Sequence, residues 1–511
     1  MSRIVVVSNR VMELRRATQA GGVAVAIADL LKARPGLWFG WSGKVVEEGD
    51  PSLSDIKVRK AAGQSALATL PLTAEEHRDY YLGYSNSVLW PVFHNRLDLA
   101  HFDAGFYPRY MGVNKRFAAA LASIIQPDDI VWVHDYHLIP LAVELRRLGI
   151  ENPIGFYLHI PVPPPQTFLA IPEYADLAQA LAAYDLVGLQ TEADVANLIQ
   201  VFKDSAQGRI LQDGRVLAFD QRLSIHRFPV GIDARDFMGA TPVRNLVQSP
   251  SDAQRIIGVD RLDYTKGLPQ KLRAFGHFLE KYPGYLRKVV LTQIAPPTRE
   301  SVEAYTDIRQ TLEALSGKIN GMFGELDWVP IHYIHRSAPR DRLRDIYRAS
   351  RIGFFTPLRD GMNLVAKEYV AAQAPDDPGV PILSRFAGAA EQLVDAIIIN
   401  PYNTEEMADA IKQALEMDKA ERIARYERLM SVIRTYDSAM WSKSFLATLE
   451  AAAEERSTSR IPASTPIHEA LAKLAEAASR SSGAPANDAD ATPEPPPGCT
   501  TPTKKCPGGH A

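Results

Sequence analysis

The sequence predicts an α/β protein of two domains in series, each built around a parallel sheet. Three observations support this fold class. Short, continuous apolar runs alternate with longer helical patterns, as in parallel sheets that helices cover on both faces. Polar residues gather directly after these runs, and the whole alternation starts again in the second half of the chain.

The first half contains predicted strands at residues 4–7, 130–133, 154–158 and 186–189. After the first of them, Gly21-Gly22 opens an apolar helical run over residues 23–31. In open α/β sheets, ligands bind at the carboxyl ends of the strands. The polar residues that follow these runs are therefore candidates for a site.

The second half repeats the pattern, with predicted strands at residues 255–259, 288–292, 352–355 and 396–399. A polar, turn-rich linker at 239–251 precedes them. We therefore expect an N-terminal Rossmann-like domain over residues 1–235 and a C-terminal one over residues 250–455, facing a central cleft. The last helices of the second domain are expected to pack back on the first.

The end of the chain has a different composition. Residues 481–511 are rich in Pro, Gly, Ala, Ser and Thr, which predicts a disordered tail, and a short helix is expected at 468–478. The two cysteines, Cys499 and Cys506, both fall in this tail. The folded body is therefore predicted to have neither a disulfide nor a thiol nucleophile.

The overall composition excludes several classes of protein. The chain has 511 residues, a formal net charge of −3 and 46% hydrophobic residues. This composition excludes a wholly disordered protein, and the net charge argues against a nucleic-acid binder that relies on bulk positive charge. No run approaches the ~18 apolar residues of a membrane span, and the N-terminus does not have the pattern of a signal peptide. We expect a cytoplasmic protein with no membrane or nucleic-acid partner.

Residues 359–368 carry the most specific local signal. A strand ends at Phe355, Asp360-Gly361 makes a turn, and Asn363 can cap a helix. The free N–H groups of the first helical turn can then hold a diphosphate, and Glu368 can accept hydrogen bonds from ribose hydroxyls. The alternative is that these residues only end a strand and start a helix.

A second signal follows the strand at 255–259. Arg261 and Lys266 flank a turn there, and two cations at a strand end suit a leaving diphosphate whose charge grows as a bond breaks. The alternative is that they form surface ion pairs with Asp260 and Asp263.

Further candidates are scattered along the chain. Gly21-Gly22 at a helix start lets an anion approach the backbone, although an ordinary turn explains a glycine pair equally well. Arginine captures phosphate, aromatic faces suit sugars, and carboxylates bind sugar hydroxyls. The residues are Arg10, Tyr81, Trp90, Asp135, His159 and, from the second half, Arg299. The alternative for Trp90 is a position in the core, and the alternative for His159 is a loop position in which its hydrogen bonds are satisfied.

In combination, these segments resemble the trehalose-6-phosphate synthases, retaining glycosyltransferases of family 20 with the GT-B fold. The resemblance runs from residue 1 to about residue 450. It rests on Gly21-Gly22 and on the stretches at residues 7–10, 38–43, 80–81, 85–86, 88–91, 134–137, 159–161, 259–267, 293–296 and 357–370.

The resemblance implies transfer of glucose from UDP-glucose to C1 of glucose 6-phosphate, which gives α,α-trehalose 6-phosphate and UDP. It also implies retention through front-face attack, in which the departing phosphate oxygen takes the proton of the acceptor. The implied catalytic residues are Asp360, His159, Arg261 and Lys266. The implied donor site is Gly21, Gly22, His159, Arg261, Lys266, Asn363, Leu364, Val365, Ala366, Lys367 and Glu368. The implied acceptor site is Arg10, Trp41, Tyr81, Trp90, Asp135 and Arg299.

Two features qualify what the resemblance implies. Relatives often carry an aromatic residue near the donor base where this sequence has Ala338, which leaves the choice among UDP, ADP and GDP open. No Asp-x-Asp motif is placed to serve a diphosphate, so we expect neither a metal nor another cofactor. Fixed cations and a helix dipole are expected to stabilise the leaving group instead.

Three alternatives remain at this stage. A glucosylglycerol-phosphate synthase uses a different phosphorylated acceptor, and a non-catalytic relative senses sugar phosphates. A Rossmann oxidoreductase is disfavoured because the glycine fingerprint for dinucleotides is absent. The expected partners are small-molecule substrates, and the oligomeric state is open, with a homo-oligomer among the possibilities.

Overall fold

The computed structural model describes residues 2–12, 23–61, 65–239, 253–298 and 303–459. Its strands form two sheets. In chain order the strands are Ile4–Arg10 (β1), Gly36–Val46 (β2), Lys57–Lys60 (β3), Ala66–Thr73 (β4), Ile130–His134 (β5), Ile154–Tyr157 (β6), Leu186–Leu189 (β7), Arg209–Ile210 (β8), Val216–Ala218 (β9), Gln221–Arg227 (β10), Gln254–Val259 (β11), Val289–Ile294 (β12), Ile331–Ile334 (β13), Ile352–Phe355 (β14), Val380–Ser384 (β15) and Ile397–Ile399 (β16).

The first sheet has ten strands in the described residues, in the order β3-β4-β2-β1-β5-β6-β7-β10-β9-β8. The strands at its centre are parallel. Antiparallel pairs lie towards its two edges: at one edge β3 pairs with β4, and at the other β9 pairs with both β8 and β10. The residues of β5, β6 and β7 are all buried, since helices cover both faces of the sheet.

The second sheet has six described strands, in the order β13-β12-β11-β14-β15-β16, and all of its pairs are parallel. Both sheets therefore gather the carboxyl ends of several parallel strands at one edge. That geometry brings the loops after the strands together.

Helices connect and cover the strands. The longer α-helices and one π-helix are Val23–Ala33, His77–Leu89 (π), Phe106–Ala122, Leu141–Arg147, Tyr174–Ala182, Glu192–Ala206, Leu268–Lys281, Glu303–Phe323, Arg340–Arg348, Leu364–Ala372, Thr404–Glu416, Lys419–Thr435 and Ser438–Ser459. The short α-helices are Ala74–Glu76, Trp90–Phe93 and Pro165–Phe168, and the 3₁₀ turns are Pro51–Leu53, Leu97–Leu99, Tyr136–Leu138, Ala234–Asp236, Tyr264–Lys266, Pro283–Tyr285 and Gly388–Glu391.

The last described helix, Ser438–Ser459, lies on the first sheet although it follows the second sheet in the chain. Phe445 stacks on Trp132 of β5 with ring centroids 4.5 Å apart. A Cβ on Gly155 of β6 or on Gly188 of β7 would lie within 2.8 Å of the Phe445 ring. The absence of side chains at these two positions therefore makes room for the helix.

Each strand predicted from the sequence is confirmed, with ends that differ by a few residues. The strands that were not predicted are β2, β3, β4, β8, β9, β10, β13 and β15. Glycines interrupt the apolar pattern of β2, and the others are short or carry polar residues. Most of the linker, the predicted helix at 468–478 and the tail at 481–511 lie outside the described residues.

Candidate active site

A cavity of about 750 Å³ opens at the carboxyl ends of both sheets. Residues at or just after the ends of β1, β5 and β6 line one side, and residues at or just after the ends of β11, β12 and β14 line the other. The polar side chains of its wall are Ser8, Asn9, Arg10, Tyr81, His94, His134, Asp135, Tyr136, His137, His159, Gln190, Asp260, Arg261, Lys266, Ser337, Arg340, Tyr347, Asp360, Asn363 and Glu368.

Arg10, the last residue of β1, places a cation in this wall. Its guanidinium carbon lies 5.6 Å from the centre of the Trp41 ring. Gly43 has φ +82°, and a Cβ there would lie 2.9 Å from an Arg10 guanidinium nitrogen. Trp41 and Gly43 together form the surface on which the Arg10 side chain rests, and Gly43 makes that close approach possible.

Tyr81 projects into the cavity from the π-helix His77–Leu89. The wider π turn shows in side-chain bonds that span five residues: Asn86 donates to the Tyr81 carbonyl at 2.6 Å, and Ser87 to the Leu82 carbonyl at 2.8 Å. The Tyr81 ring lies 5.6 Å from Trp41 and is stacked at 5.9 Å on His137. This unusual helix, a type often found at functional sites, thus fixes an aromatic ring beside Arg10.

Trp90 and Arg261 face each other from the two sides of the cavity. The Arg261 guanidinium carbon lies 5.6 Å from the centre of the Trp90 ring. This contact joins the helix Trp90–Phe93 of the first half to the loop after β11. When an arginine lies over an aromatic ring, its guanidinium N–H groups still point outwards from the edge of the contact and can bind an anion.

Asp135 and His159 follow the neighbouring parallel strands β5 and β6. Asp135 has φ +76°, which is uncommon for a residue with a side chain and occurs at functional sites. Its carboxylate accepts a hydrogen bond from the His159 main-chain N–H at 3.3 Å. Burial lowers the pKa of His159 to about 3, so its imidazole is neutral at neutral pH.

On the opposite side, Lys266 and Asp360 form an ion pair of 2.6 Å. Asn363 donates to the same Asp360 oxygen, Oδ2, at 3.2 Å, while its own side-chain oxygen caps the helix Leu364–Ala372 by accepting from the Ala366 N–H at 3.0 Å. Leu364 and its neighbours in the first turn line the cavity. A partially positive helix end and an ammonium group therefore face the same space.

Asp260 is held from behind by a buried polar network. Lys271 donates to Asp260 at 2.6 Å and to Gln293 at 2.9 Å, and all three side chains are buried. A Cβ on Gly258 would lie 2.2 Å from the Gln293 amide oxygen. The network therefore fixes the loop that carries Arg261 to the end of β12.

Glu368 lies deeper, in the second turn of the same helix. It is 8% exposed, and burial raises its pKa to about 7, an effect that Arg340 partly opposes. Arg340 itself rests over the Phe237 ring at 4.6 Å and pairs with Asp236 at 3.1 Å. This end of the cavity thus presents a carboxyl group whose pKa lies well above its usual range.

Comparison with known proteins identifies the family to which the chain belongs. The chain matches glycosyltransferase family 20 over residues 3–451. A trehalose-6-phosphate synthase of Klebsiella pneumoniae is 44% identical over 468 residues, which are 90% of this chain and 98% of that protein. The chain belongs to glycosyltransferase family 20.

Solved structures agree with this family 20 assignment. One is a UDP-forming α,α-trehalose-phosphate synthase of Burkholderia xenovorans in complex with glucose 6-phosphate, with a TM-score of 0.83, 43% identity and coverage of 88% of this chain and 100% of that chain. Another, from Escherichia coli, is bound with UDP-2-fluoro glucose, with a TM-score of 0.82, 43% identity and coverage of 88% and 99%. The fold is the GT-B fold of two Rossmann-like domains.

Most residues proposed for the family 20 site line the cavity. From the acceptor set these are Arg10, Tyr81, Trp90 and Asp135, with Trp41 directly behind Arg10. From the donor and catalytic sets they are His159, Arg261, Lys266, Asp360, Asn363, Leu364, Val365 and Glu368.

Other proposed residues have different surroundings. Ala366 is fully buried below the helix cap. Lys367 is 1% exposed and donates to the Val230 carbonyl and to Gln392, each at 2.7 Å, so its side chain ties the helix to the chain that crosses between the sheets. Gly21, Gly22 and Arg299 lie outside the described residues.

Sequence reasoning did not propose His94, His134 or Arg340, although all three line the cavity. His134 ends β5, so its position at a strand end was an available signal. His94 follows the short helix Trp90–Phe93, and its ring nitrogen Nδ1 donates a hydrogen bond of 2.7 Å to the Trp90 carbonyl. Nothing local marks His94 or Arg340, because their place in the wall depends on the packing of distant elements.

Among the described residues, no group of three or more His, Cys, Asp or Glu side chains is arranged to hold a metal ion. No helix in the described part of the chain has the length and apolar character needed to span a membrane.

Proposed function

We propose that this family 20 chain transfers glucose from UDP-glucose to glucose 6-phosphate and releases α,α-trehalose 6-phosphate and UDP, with retention at the transferred carbon. One observation carries the proposal. Arg10 on one sheet, and the Lys266–Asp360 pair beside a helix N-terminus on the other, line a single cavity. Two anionic substrates can therefore bind opposite each other.

The acceptor is assigned to the side of the first sheet. Arg10 can hold the phosphate through paired hydrogen bonds, Tyr81 can cover the sugar, and the Asp135 carboxylate can accept from its hydroxyls. The glucose 6-phosphate bound to the Burkholderia xenovorans relative supports this choice of acceptor. Arg299 is proposed as a second phosphate ligand from the other half of the chain.

The donor is assigned to the side of the second sheet. Lys266, Arg261 and the first turn of the helix Leu364–Ala372 suit the diphosphate, and Glu368 suits the ribose. The UDP-2-fluoro glucose bound to the Escherichia coli relative supports a UDP-sugar donor. Ala338 lines the same end of the cavity, so the base pocket has a small side chain there.

The chemistry follows from this placement. The bond between the glucose C1 and the diphosphate oxygen breaks, and C1 bonds to the acceptor O1 on the same face. The acceptor O1–H proton passes to the departing phosphate oxygen, so no protein base is needed. Lys266 and Arg261 stabilise the negative charge that grows on the leaving group, without a metal ion. Asp360 uses Oδ2 for Lys266 and Asn363, and its Oδ1 can accept from a glucose hydroxyl and hold C1 beside the acceptor O1.

The test is a donor-by-acceptor activity matrix with product identification. UDP-, ADP- and GDP-glucose are each incubated with glucose 6-phosphate and with glycerol 3-phosphate, and products are identified by NMR and mass spectrometry. The proposal expects the highest kcat/KM for UDP-glucose with glucose 6-phosphate and an α,α linkage. Preference for glycerol 3-phosphate indicates a glucosylglycerol-phosphate synthase, and binding of substrates without turnover indicates a sensor.

A further inference from the structure

His134 and His159 form a hydrogen-bonded pair of imidazoles in the cavity wall. His134 Nδ1 lies 3.0 Å from His159 Nε2, and the ring planes are 14° apart with centroids at 5.3 Å. His134 ends β5 and His159 follows β6, which is its parallel neighbour. Two adjacent strand ends therefore deliver the two rings to the same place.

The surroundings of the pair are aromatic. Trp132 lies 4.6 Å from the His134 ring, Tyr157 lies 4.7 Å from the His159 ring, and Trp441 of the last described helix lies 6.2 Å from both. Burial lowers the pKa of both histidines, and the neighbouring His159 lowers the pKa of His134 further. Both imidazoles are therefore neutral at neutral pH.

A neutral imidazole has one N–H group and one nitrogen lone pair. Because the two rings share a hydrogen bond, the tautomer of one ring determines the tautomer of the other. If His134 donates from Nδ1, His159 accepts at Nε2 and carries its own proton on Nδ1. If His159 donates from Nε2, its Nδ1 is an acceptor. His159 Nδ1 and His134 Nε2 are buried and have no hydrogen-bond partner among the described residues. The state of His134 thus decides what His159 Nδ1 can offer a ligand.

We propose that His134 is a positioning residue for glucosyl transfer. It fixes the plane of the His159 ring and its tautomer, so that His159 Nδ1 forms a hydrogen bond of defined direction with a hydroxyl group of the donor sugar. This inference rests on the proposed function, in which His159 faces the donor. A buried polar nitrogen without a partner is costly, and a sugar hydroxyl supplies the missing bond.

Two substitutions at His134 separate hydrogen bonding from packing. His134→Asn keeps a polar group near the position of Nδ1, whereas His134→Phe keeps a ring of similar size without a nitrogen. For His134→Phe we expect kcat to fall about ten- to fiftyfold, with the KM for glucose 6-phosphate within about twofold of the unmodified chain. His134→Asn should retain kcat within about threefold. Equal losses in the two variants would overturn the proposal.

A double-mutant cycle asks whether His134 acts through His159. In a His159→Ala background, His134→Phe should cause no further loss of kcat. Losses that multiply in the double variant would show that the two residues act independently, which would overturn the proposal. Thermal melting of all variants verifies folding.

A measurement without turnover separates failure of this inference from failure of the proposed function. The chain is labelled with ¹⁵N-histidine, and the His159 ring signals are assigned by their loss in His159→Ala. Ring ¹⁵N shifts distinguish a protonated nitrogen from a lone pair, so His134→Phe should change the His159 Nε2 shift. Unchanged His159 shifts in His134→Phe would overturn the inference even in an active enzyme. If the unmodified chain forms no trehalose 6-phosphate, the proposed function fails, and with it the assignment of the bonded hydroxyl to a donor sugar.

Discussion

Gly361 lies against the main chain of His159 so closely that a Cβ on Gly361 would be 2.1 Å from the His159 carbonyl oxygen. This contact joins the turn after β14 to the residue after β6. It therefore sets the distance between the two walls of the cavity at the point where the Lys266–Asp360 pair faces His159.

Gly361→Ala should separate these walls. The added methyl group meets main-chain atoms, which cannot move aside as a flexible side chain can, so we expect a loss of about 1–3 kcal/mol of stability and a fall in kcat of at least about tenfold. Urea unfolding and steady-state kinetics measure the two effects. Gly112→Ala is the control, because nothing lies within 4 Å of a Cβ there. Normal turnover in Gly361→Ala would contradict the prediction.

Gly43→Ala should displace Arg10. A Cβ at Gly43 approaches the guanidinium to 2.9 Å, and Arg10 can swing away from Trp41 to relieve the contact. We expect the KM for glucose 6-phosphate to rise about five- to thirtyfold, while UDP affinity measured by calorimetry stays within about twofold. Gly49→Ala is a matched control, since Gly49 has the same φ of +82° with nothing within 4 Å. Equal effects of the two variants would mean that backbone strain, and not Arg10, is responsible.

Asp360→Ala should remove turnover and leave the fold intact. The substitution takes away the partner of Lys266 and the carboxylate proposed to hold the donor sugar, so we expect kcat to fall at least about a hundredfold. Asp213→Ala removes an exposed ion pair with Arg215 and should leave kcat unchanged. Substantial turnover by folded Asp360→Ala enzyme would argue against the assignment.

Glu368→Gln should change how stability depends on pH. Because burial raises the folded-state pKa of Glu368 from 4.5 to about 7, the folded chain keeps a proton between these values that the unfolded chain has lost. Its contribution to stability therefore falls as pH rises from about 4.5 to about 7, by up to roughly 3 kcal/mol. Urea unfolding at pH 5 and pH 8 should show that Glu368→Gln gains stability relative to the unmodified chain at the higher pH. A difference that is constant with pH would refute the raised pKa.

Activity should persist in EDTA. Lys266 and Arg261 are proposed to stabilise the leaving diphosphate, a task that many other transferases give to a divalent cation. Initial rates are compared before and after dialysis against EDTA, and again after addition of magnesium or manganese. Loss of activity that either metal restores would require a metal in the reaction.

The local pattern of the chain was sufficient for the framework of the fold. Apolar runs such as those of β5 and β7 must be buried, because their exposure to water costs free energy in any fold. The helix that begins after Asn363 was also predictable, since its cap is a bond between residues three apart. Family resemblance then indicated which polar residues to expect at the strand ends.

The relations between distant residues were decided by the tertiary structure alone. Lys266 meets Asp360 across 94 positions of the chain, and His134 meets His159 because β5 and β6 are neighbours in the sheet. Strand order is an outcome of global packing, which a local pattern does not encode. For the same reason, two close contacts could not be predicted from the sequence: that of Gly361 with the His159 main chain and that of Gly43 with the Arg10 side chain.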